Sequence, residues 1–353
     1  MMNDRLSILE QAGARFGTAT DFPRVLNFGA WEEEYLAALH RAALFDLSGL
    51  NVLRVHGKDH TDLLHRLSMN ELRQMRPDDL LVNAFPDAKG KIVEAVFMVR
   101  RPGAIELITG FHRGQSMVAW LDRYIFIEDV GIDDITEETA LLLLAGPKAD
   151  SLLSPGEVRM HFTQLEWGGA TVEAARVEGL LPNGILIRAS SSDIERIYQH
   201  CMQLAAEKRL RLAGSRAFHA LRVREGVPMQ GHEFGEDANP YEAGLKRYIS
   251  YTKGCYVGQE VIARLDTYDK VKYDYTGLWI DTREPLAKPL AVLRNDQQVG
   301  KVTSAAWLPD ADRTAAIARI RRKALEEGGA FIVRSGESRY EAEVRELAVV
   351  AEK

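Results

Sequence analysis

Hydrophobic and polar positions along this chain recur with two different periods, and the switches between them mark its elements. In "AWEEEYLAALHRAALFDLS", Trp31, Tyr35, Leu36 and Leu39 recur at helical spacing, with Glu32, Glu33 and Glu34 in the first turn, where the helix dipole favours acids. "NVLRVHG" alternates as a strand, with Val52 and Arg54 on one side and Leu53 and Val55 on the other. "KDHTDLLHRLSM" returns to helical spacing through Leu63, Leu64 and Leu67, and Asp59 is placed to cap it. A turn over Pro86 to Gly90 leads into the strand "KIVEAVFMVRR"; "AIELITG" predicts a second strand and "GQSMVAWLDRYI" a helix. "TALLLLAGPKADSLL" predicts a strand and a helix, then "GILIRAS" a strand and "DIERIYQHCMQLAAEKRL" a helix. Such mixing over residues 20 to 225 predicts an α+β fold or split βαβ units.

After about residue 275 the helical period disappears. "YTGLWID", "AVLRNDQQVGKVTSAAW", "TAAIARIR", "AFIVR" and "YEAEVREL" are short alternating segments, with Asn295-Asp296 as a hairpin turn. A small closed β-barrel or sandwich is expected there.

The 353 residues suit roughly two to three domains. A net charge of −6 argues against coating nucleic acid or anionic membrane through bulk electrostatics. No stretch approaches the ~18 apolar residues of a membrane span. The start, "MMNDRLSILEQAGARFG", carries Asp4 and Glu10 and reads as neither signal nor transit peptide. Cys201 and Cys255 are the only cysteines, too few and too far apart for a disulfide framework. A cytoplasmic, reducing location is expected.

The candidate chemistry centres on "YTKGCYVGQEVIAR". Lys253 and Cys255 lie two apart, so an extended segment would project both to one face, where an ammonium favours thiolate. Gly258 before "QEVIARL" is placed to open a helix, whose positive end adds the same bias. The plainer alternative, a small hydrophobe in a glycine turn, stays open on these residues alone. Cys201 falls on the apolar face of its helix with Ile194, Ile197 and Leu204 and reads as core. His56 and His60, with His65 beyond, are considered as ligands; the first two straddle the strand-to-helix junction and lack a third ligand at a recognised spacing, so those two read as surface or cap residues, and no metal is expected. In "ARIRRKALEE", Arg319, Arg321, Arg322 and Lys323 cluster as an RNA contact would need, but alternation sends Arg319 and Arg321 to the solvated face of an ordinary strand, the stronger reading. Residues 223–245 are dense in Gly, Pro and acids and read as an irregular segment, with Arg224, Glu225, Glu233 and Glu242 on it and Arg222 just before it. A carboxylate there can hold a cyclic amidine through two parallel hydrogen bonds; solvated loop acids are the alternative.

"FDLSGLNVLRVHGKDHTDLLHRLSMNEL", "DAKGKIVEAVFMVRR", "LRVREGVPMQGHEF", "NPYEAGL", "KGCYVGQEVIAR" and "VGKVTSAAW" occur in this order over most of the chain. Together they resemble the YgfZ-type folate-binding proteins, relatives of the glycine-cleavage T-protein (aminomethyltransferase). The cysteine block is the most specific of them. The resemblance implies a three-domain cloverleaf around a central folate-binding channel, with a C-terminal β-barrel. The expected domains are a discontinuous α+β domain (1–47 and 140–225), a second α+β domain (48–139), a signature segment (226–274) and the barrel (275–353). It further implies a tetrahydrofolate-binding accessory protein for maturation or repair of iron–sulfur enzymes, linked to tRNA modification. Its implied partners are a folate and iron–sulfur client or assembly proteins, with no membrane and no direct nucleic-acid binding. Lys253 and Cys255 match the family's functional lysine and cysteine, and Gln259, Glu260 and Arg264 its other polar signature positions. Arg222, Glu225 and Glu242 are the candidate folate contacts.

Two positions depart from the T-protein pattern. Its Asp-Asp pair, the second member catalytic, falls on Glu94 and Ala95, and an alanine cannot relay a proton. Its pterin-holding Glu falls on Arg224, with Glu225 displaced by one, which in a strand reverses the face. A tetrahydrofolate-dependent aminomethyltransferase or demethylase is the competing reading, and a scaffold without chemistry a third.

Overall fold

A run of consecutive apolar residues such as "TALLLLA" suits either a helix core or a strand covered on both faces. In the computed structural model of this protein, which describes residues 2–17, 25–156, 159–181, 183–235 and 237–348, it is a strand. The chain divides into two units. The first comprises Met1–Arg66, Asn70–Asn83 and Ala95–Phe218; the second comprises Leu67–Met69, Ala84–Glu94 and His219–Lys353.

In the first unit, Thr139–Ala145 lies inside a six-stranded sheet ordered Thr163–Trp167, Ala170–Val177, Gly184–Ser190, Thr139–Ala145, Ala43–Asp46 and Arg211–Ala213. All its ladders are antiparallel except the last. Leu142, Leu144, Val172, Ile185 and Ile187 of this sheet share a core with Ile197 and Cys201 of helix Ile194–Ala206. A five-stranded sheet orders Leu80–Pro86, Ile92–Arg101, Ala104–Phe111, Leu50–His56 and Gly131–Asp134. Its first two strands carry the chain on into the second unit.

Several expected elements end differently. The helix predicted from residue 30 to 48 stops at His40, and Ala43–Asp46 is a wholly buried strand. Pairing with a neighbour on each side overrides its helical spacing. Glu34 turns inward, accepting hydrogen bonds from the N–H groups of Phe28 (2.5 Å) and Gly214 (3.0 Å), and burial raises its pKa. "KADSLL" makes only a short 3-10 turn, Ala149–Ser151, because Pro155 follows too closely for a helix to extend. His56, paired with Asp133, is at the surface, and His60 is buried at the start of helix His60–Leu67 with its ring 2.5 Å from the Gly57 carbonyl oxygen, so the two hold the surface and helix-end places expected of them; His65 is buried.

The second unit carries the barrel. Its six strands close in the order Tyr273–Ile280, Arg313–Arg321, Gln297–Leu308, Leu290–Arg294, Phe331–Ser335 and Ser338–Arg345, the last pairing with the first. Leu278, Val292, Ile320 and Val333 fill the interior. Asn295 and Asp296 both take positive φ, as a tight two-residue hairpin requires. The register slips between Val302 and Ser304, leaving Thr303 as a bulge. The bulge aims two successive hydroxyls the same way: Thr303 and Ser304 both donate to Glu233, at 2.8 and 2.6 Å.

Candidate functional site

Two glycine motifs far apart in sequence meet in the second unit. In the turn before strand Ile92–Arg101, Asp87 accepts from the N–H groups of Lys89 and Lys91 through its carboxylate and from Gly90 through its carbonyl. The second motif is the opening of helix Gln259–Thr267, where Gly258 (φ +78°) provides the first helical acceptor, for Ile262 N–H. A Cβ on Gly258 would stand 2.4 Å from the Asp87 carbonyl oxygen, closer than any side chain tolerates. Glycine is therefore required there for contact as well as conformation.

Just before this helix the chain bends at residues 251–253 instead of extending. Lys253 is 6% exposed, its Nζ donating to the Ser68 carbonyl at 2.6 Å and lying 5.2 Å from the Tyr256 ring centre. Backbone bonds tie the same stretch down: Ser250 N–H donates to the Met69 carbonyl, and Lys253 N–H to Ser250 Oγ. Cys255 is exposed. The shared face expected for Lys253 and Cys255 is thus overturned: the lysine turns into the protein and the thiol faces out. Around them lie three tyrosines. Tyr251 is exposed, with its hydroxyl 3.3 Å from that of Tyr241, and burial pushes the Tyr256 phenol up to about 12. Tyr251 and Tyr256 stand in the quoted block, whereas Tyr241 comes from the segment before it; Ser68 was not legible, because its contribution is a backbone carbonyl.

The other predicted positions scatter. Gln259 is the first residue of its helix and half-buried, while Glu260 and Arg264 form an exposed ion pair at 2.6 Å one turn apart. Arg222 does not face a ligand: at 1% exposure it donates to Glu233 (2.9 Å), Ser304 Oγ (2.6 Å) and the Val227 carbonyl (3.2 Å). It serves the joint between helix Ser215–Glu225 and the barrel. That helix also corrects the face argument at Glu225, because a one-residue shift on a helix turns a side chain by about 100°, not to the opposite side. Glu225 is half-buried, 3.6 Å from Arg224, and desolvation raises its pKa against the pull of Arg224 and Arg345. Glu242 is nearly buried and lines a cleft with Lys91 and Asp237 whose walls include no residue of 251–264. Arg319, expected in solvent, is buried against Asp237. At the start of strand Ile92–Arg101, Glu94 is buried and Ala95 half-exposed, on opposite faces.

Cys201 is buried in the first unit's core, and burial pushes its thiol up to about 12. Among the described residues no group of three or more His, Cys, Asp or Glu could hold a metal ion, and no helix is long and apolar enough to cross a membrane.

Residues 6–253 match the family described as "GCVT N-terminal domain", and residues 275–350 match "Glycine cleavage T-protein C-terminal barrel domain". A chloroplastic protein of Arabidopsis thaliana, named as a transferase, is 29% identical over 73% of this chain; the match spans only 60% of the plant protein's own length. The aminomethyltransferase of Chlorobium phaeovibrioides is 25% identical over 97% of this chain and 96% of its own. The crystal structure of the glycine cleavage system aminomethyltransferase T of Bartonella henselae superposes with a TM-score of 0.85 at 20% identity. That superposition covers 99% of this chain and 98% of the other, a likeness of fold.

Proposed function

This chain belongs to the glycine-cleavage T-protein family, and we propose that within it the protein is a YgfZ-type accessory. On this reading it binds tetrahydrofolate, works in a reducing cytoplasm and supports maturation or repair of iron–sulfur enzymes, with Cys255 as its reactive thiol. The observation that carries the reading is the exposed Cys255 on a segment anchored by a buried lysine and packed backbone to backbone against the glycine turn. A scaffold has no use for a thiol presented in that way.

Aminomethyl transfer, the activity in the Chlorobium relative's name, meets one obstacle in this chain. The position matching the T-protein's catalytic Asp is Ala95, and Glu94 cannot substitute because strand alternation sends it to the buried opposite face. Of the three candidate folate contacts, Glu225 keeps the chemistry that a pterin edge needs, a half-buried carboxylate able to accept two N–H donors. Arg222 does not, since Glu233 and the barrel occupy it. Bound tetrahydrofolate would supply a one-carbon carrier; the protein's part is to hold it and to present the thiol.

The test has two arms. Tetrahydrofolate titrated into the protein should change tryptophan fluorescence and raise stability by about 2.7 kcal/mol at a hundredfold excess over Kd. Cells carrying only Cys255→Ser should lose iron–sulfur enzyme activities that the unaltered protein restores. No response to millimolar tetrahydrofolate, or full restoration by Cys255→Ser, refutes the corresponding half. Turnover of an aminomethylated lipoyl carrier in the ~1–10³ s⁻¹ range of ordinary enzymes would instead establish the transferase.

A further inference from the structure

Along the barrel ladders Lys301 lies directly opposite Arg319, and Tyr273 opposite Arg321. Directly opposed residues share a face, as do positions two apart on one strand, so these four side chains lie together. With Lys91, Lys272, Asp237 and Glu242 they line a cleft of about 560 Å³, inside the ~300–1,000 Å³ range of small-molecule sites. The charged lining is Lys91, Lys272, Lys301, Arg319 and Arg321 against Asp237 and Glu242, a cationic concentration in a chain of net charge −6.

Part of that charge is already committed. Arg319 grips Asp237 with both terminal nitrogens (3.1 and 3.2 Å), Lys301 reaches it at 2.6 Å, and Lys91 Nζ donates to the Asp237 carbonyl at 3.0 Å. Lys272 and Arg321 are different: both are exposed, and among the described residues neither side chain has an ion pair or hydrogen bond. Glu242 is only 7% exposed, and its carboxylate also has no partner among the described residues, although its backbone N–H donates to Asn239. Its carboxylate oxygens remain open to the cleft. The cleft therefore offers two uncommitted cations for an anion and one uncommitted carboxylate for an N–H donor.

We propose that this cleft binds a small phosphorylated amine, its phosphate held by Lys272 and Arg321 and its ammonium by Glu242. An Arg fork beside a Lys point charge suits a phosphate dianion better than a single carboxylate. Glu242 disfavours a bare polyanion and rewards a ligand carrying its own positive charge. Of the expected folate contacts only Glu242 lines this cleft, while Arg222, Glu225 and the cysteine segment do not, and the titration with tetrahydrofolate below separates the two readings.

Calorimetric titration of the whole protein at low salt, with phosphoethanolamine and inorganic phosphate as probes, tests the proposal. Phosphoethanolamine should bind about tenfold more tightly than phosphate, and Lys272→Ala or Arg321→Ala should weaken both by about tenfold, the order of one lost charge-assisted hydrogen bond. Glu242→Gln, nearly isosteric, should abolish the difference between probes while phosphate still binds. Absence of binding at millimolar probe, or affinities unchanged in Lys272→Ala and Arg321→Ala, overturns it. So does displacement of phosphoethanolamine by tetrahydrofolate, which would make the cleft part of a folate site.

Discussion

At the scale of single residues, the two cysteines show how position governs reactivity. Cys201 is sealed among Ile197, Leu204 and the strands beneath them, where burial raises its pKa and denies reagents access. Cys255 is open to solvent. A limiting alkylating reagent near neutral pH, followed by peptide mass analysis, should label Cys255 first and Cys201 only after unfolding. Preferential labelling of Cys201 would contradict the assignment. Lys253 acts here as an anchor, so Lys253→Ala should also destabilise the protein, by about 1.5–3 kcal/mol for a buried charged hydrogen bond to the Ser68 carbonyl.

At the scale of elements, helix Ser215–Glu225 ends in a Schellman turn, with Val227 N–H bonded to the Arg222 carbonyl and Gly226 at φ +80°. A Cβ at Gly226 would stand 2.7 Å from Leu347, so the turn also makes room for the chain beyond the last barrel strand. The last turn of the helix delivers Arg222 to Glu233, and the bulge at Thr303 delivers two hydroxyls to the same carboxylate. Removing one member of such a buried pair leaves the other charge uncompensated. Glu233→Ala should therefore cost about 3–5 kcal/mol in urea unfolding. The double variant Arg222→Met/Glu233→Leu should recover most of that loss; a double variant as unstable as the single would show that the pair contributes more than mutual neutralisation.

At the scale of the whole molecule, the buried thiol links stability to pH. The folded-state pKa of Cys201 is raised to about 12, against an unfolded value of about 8.5. Its contribution is fully present below about pH 8.5. As pH climbs toward 12 the unfolded chain releases this proton while the folded chain retains it, so stability falls. Tyr275, buried and donating to the Gly226 carbonyl, has its pKa raised by desolvation and acts in the same direction. Cys201→Ala should flatten the decline in melting temperature between neutral pH and pH 10 without abolishing it, because Tyr275 remains. An identical decline in both proteins would show that the thiol is not the linked group.

The chain's own pattern was sufficient for the strand "GILIRAS", the helix around Cys201, the Asn295-Asp296 hairpin and the alternating strands of the barrel, because each depends on periodicity or turn chemistry within a few residues. The quoted motifs carried the family and the cysteine block, and Gly258 was legible as a helix opening. Contacts between distant segments were not legible. Ala43–Asp46 became a strand because neighbours on both sides offered it hydrogen bonds, and Glu34 turned inward to meet two N–H groups, one of them from residue 214. A bend before Cys255 separated it from Lys253, whose partner is a carbonyl supplied from residue 68. Arg222 looked available for a ligand until Glu233 and Ser304 claimed it. Local spacing sets which backbone conformation is cheap, whereas the use of each charged side chain depends on which partners the fold brings within about 3 Å of it.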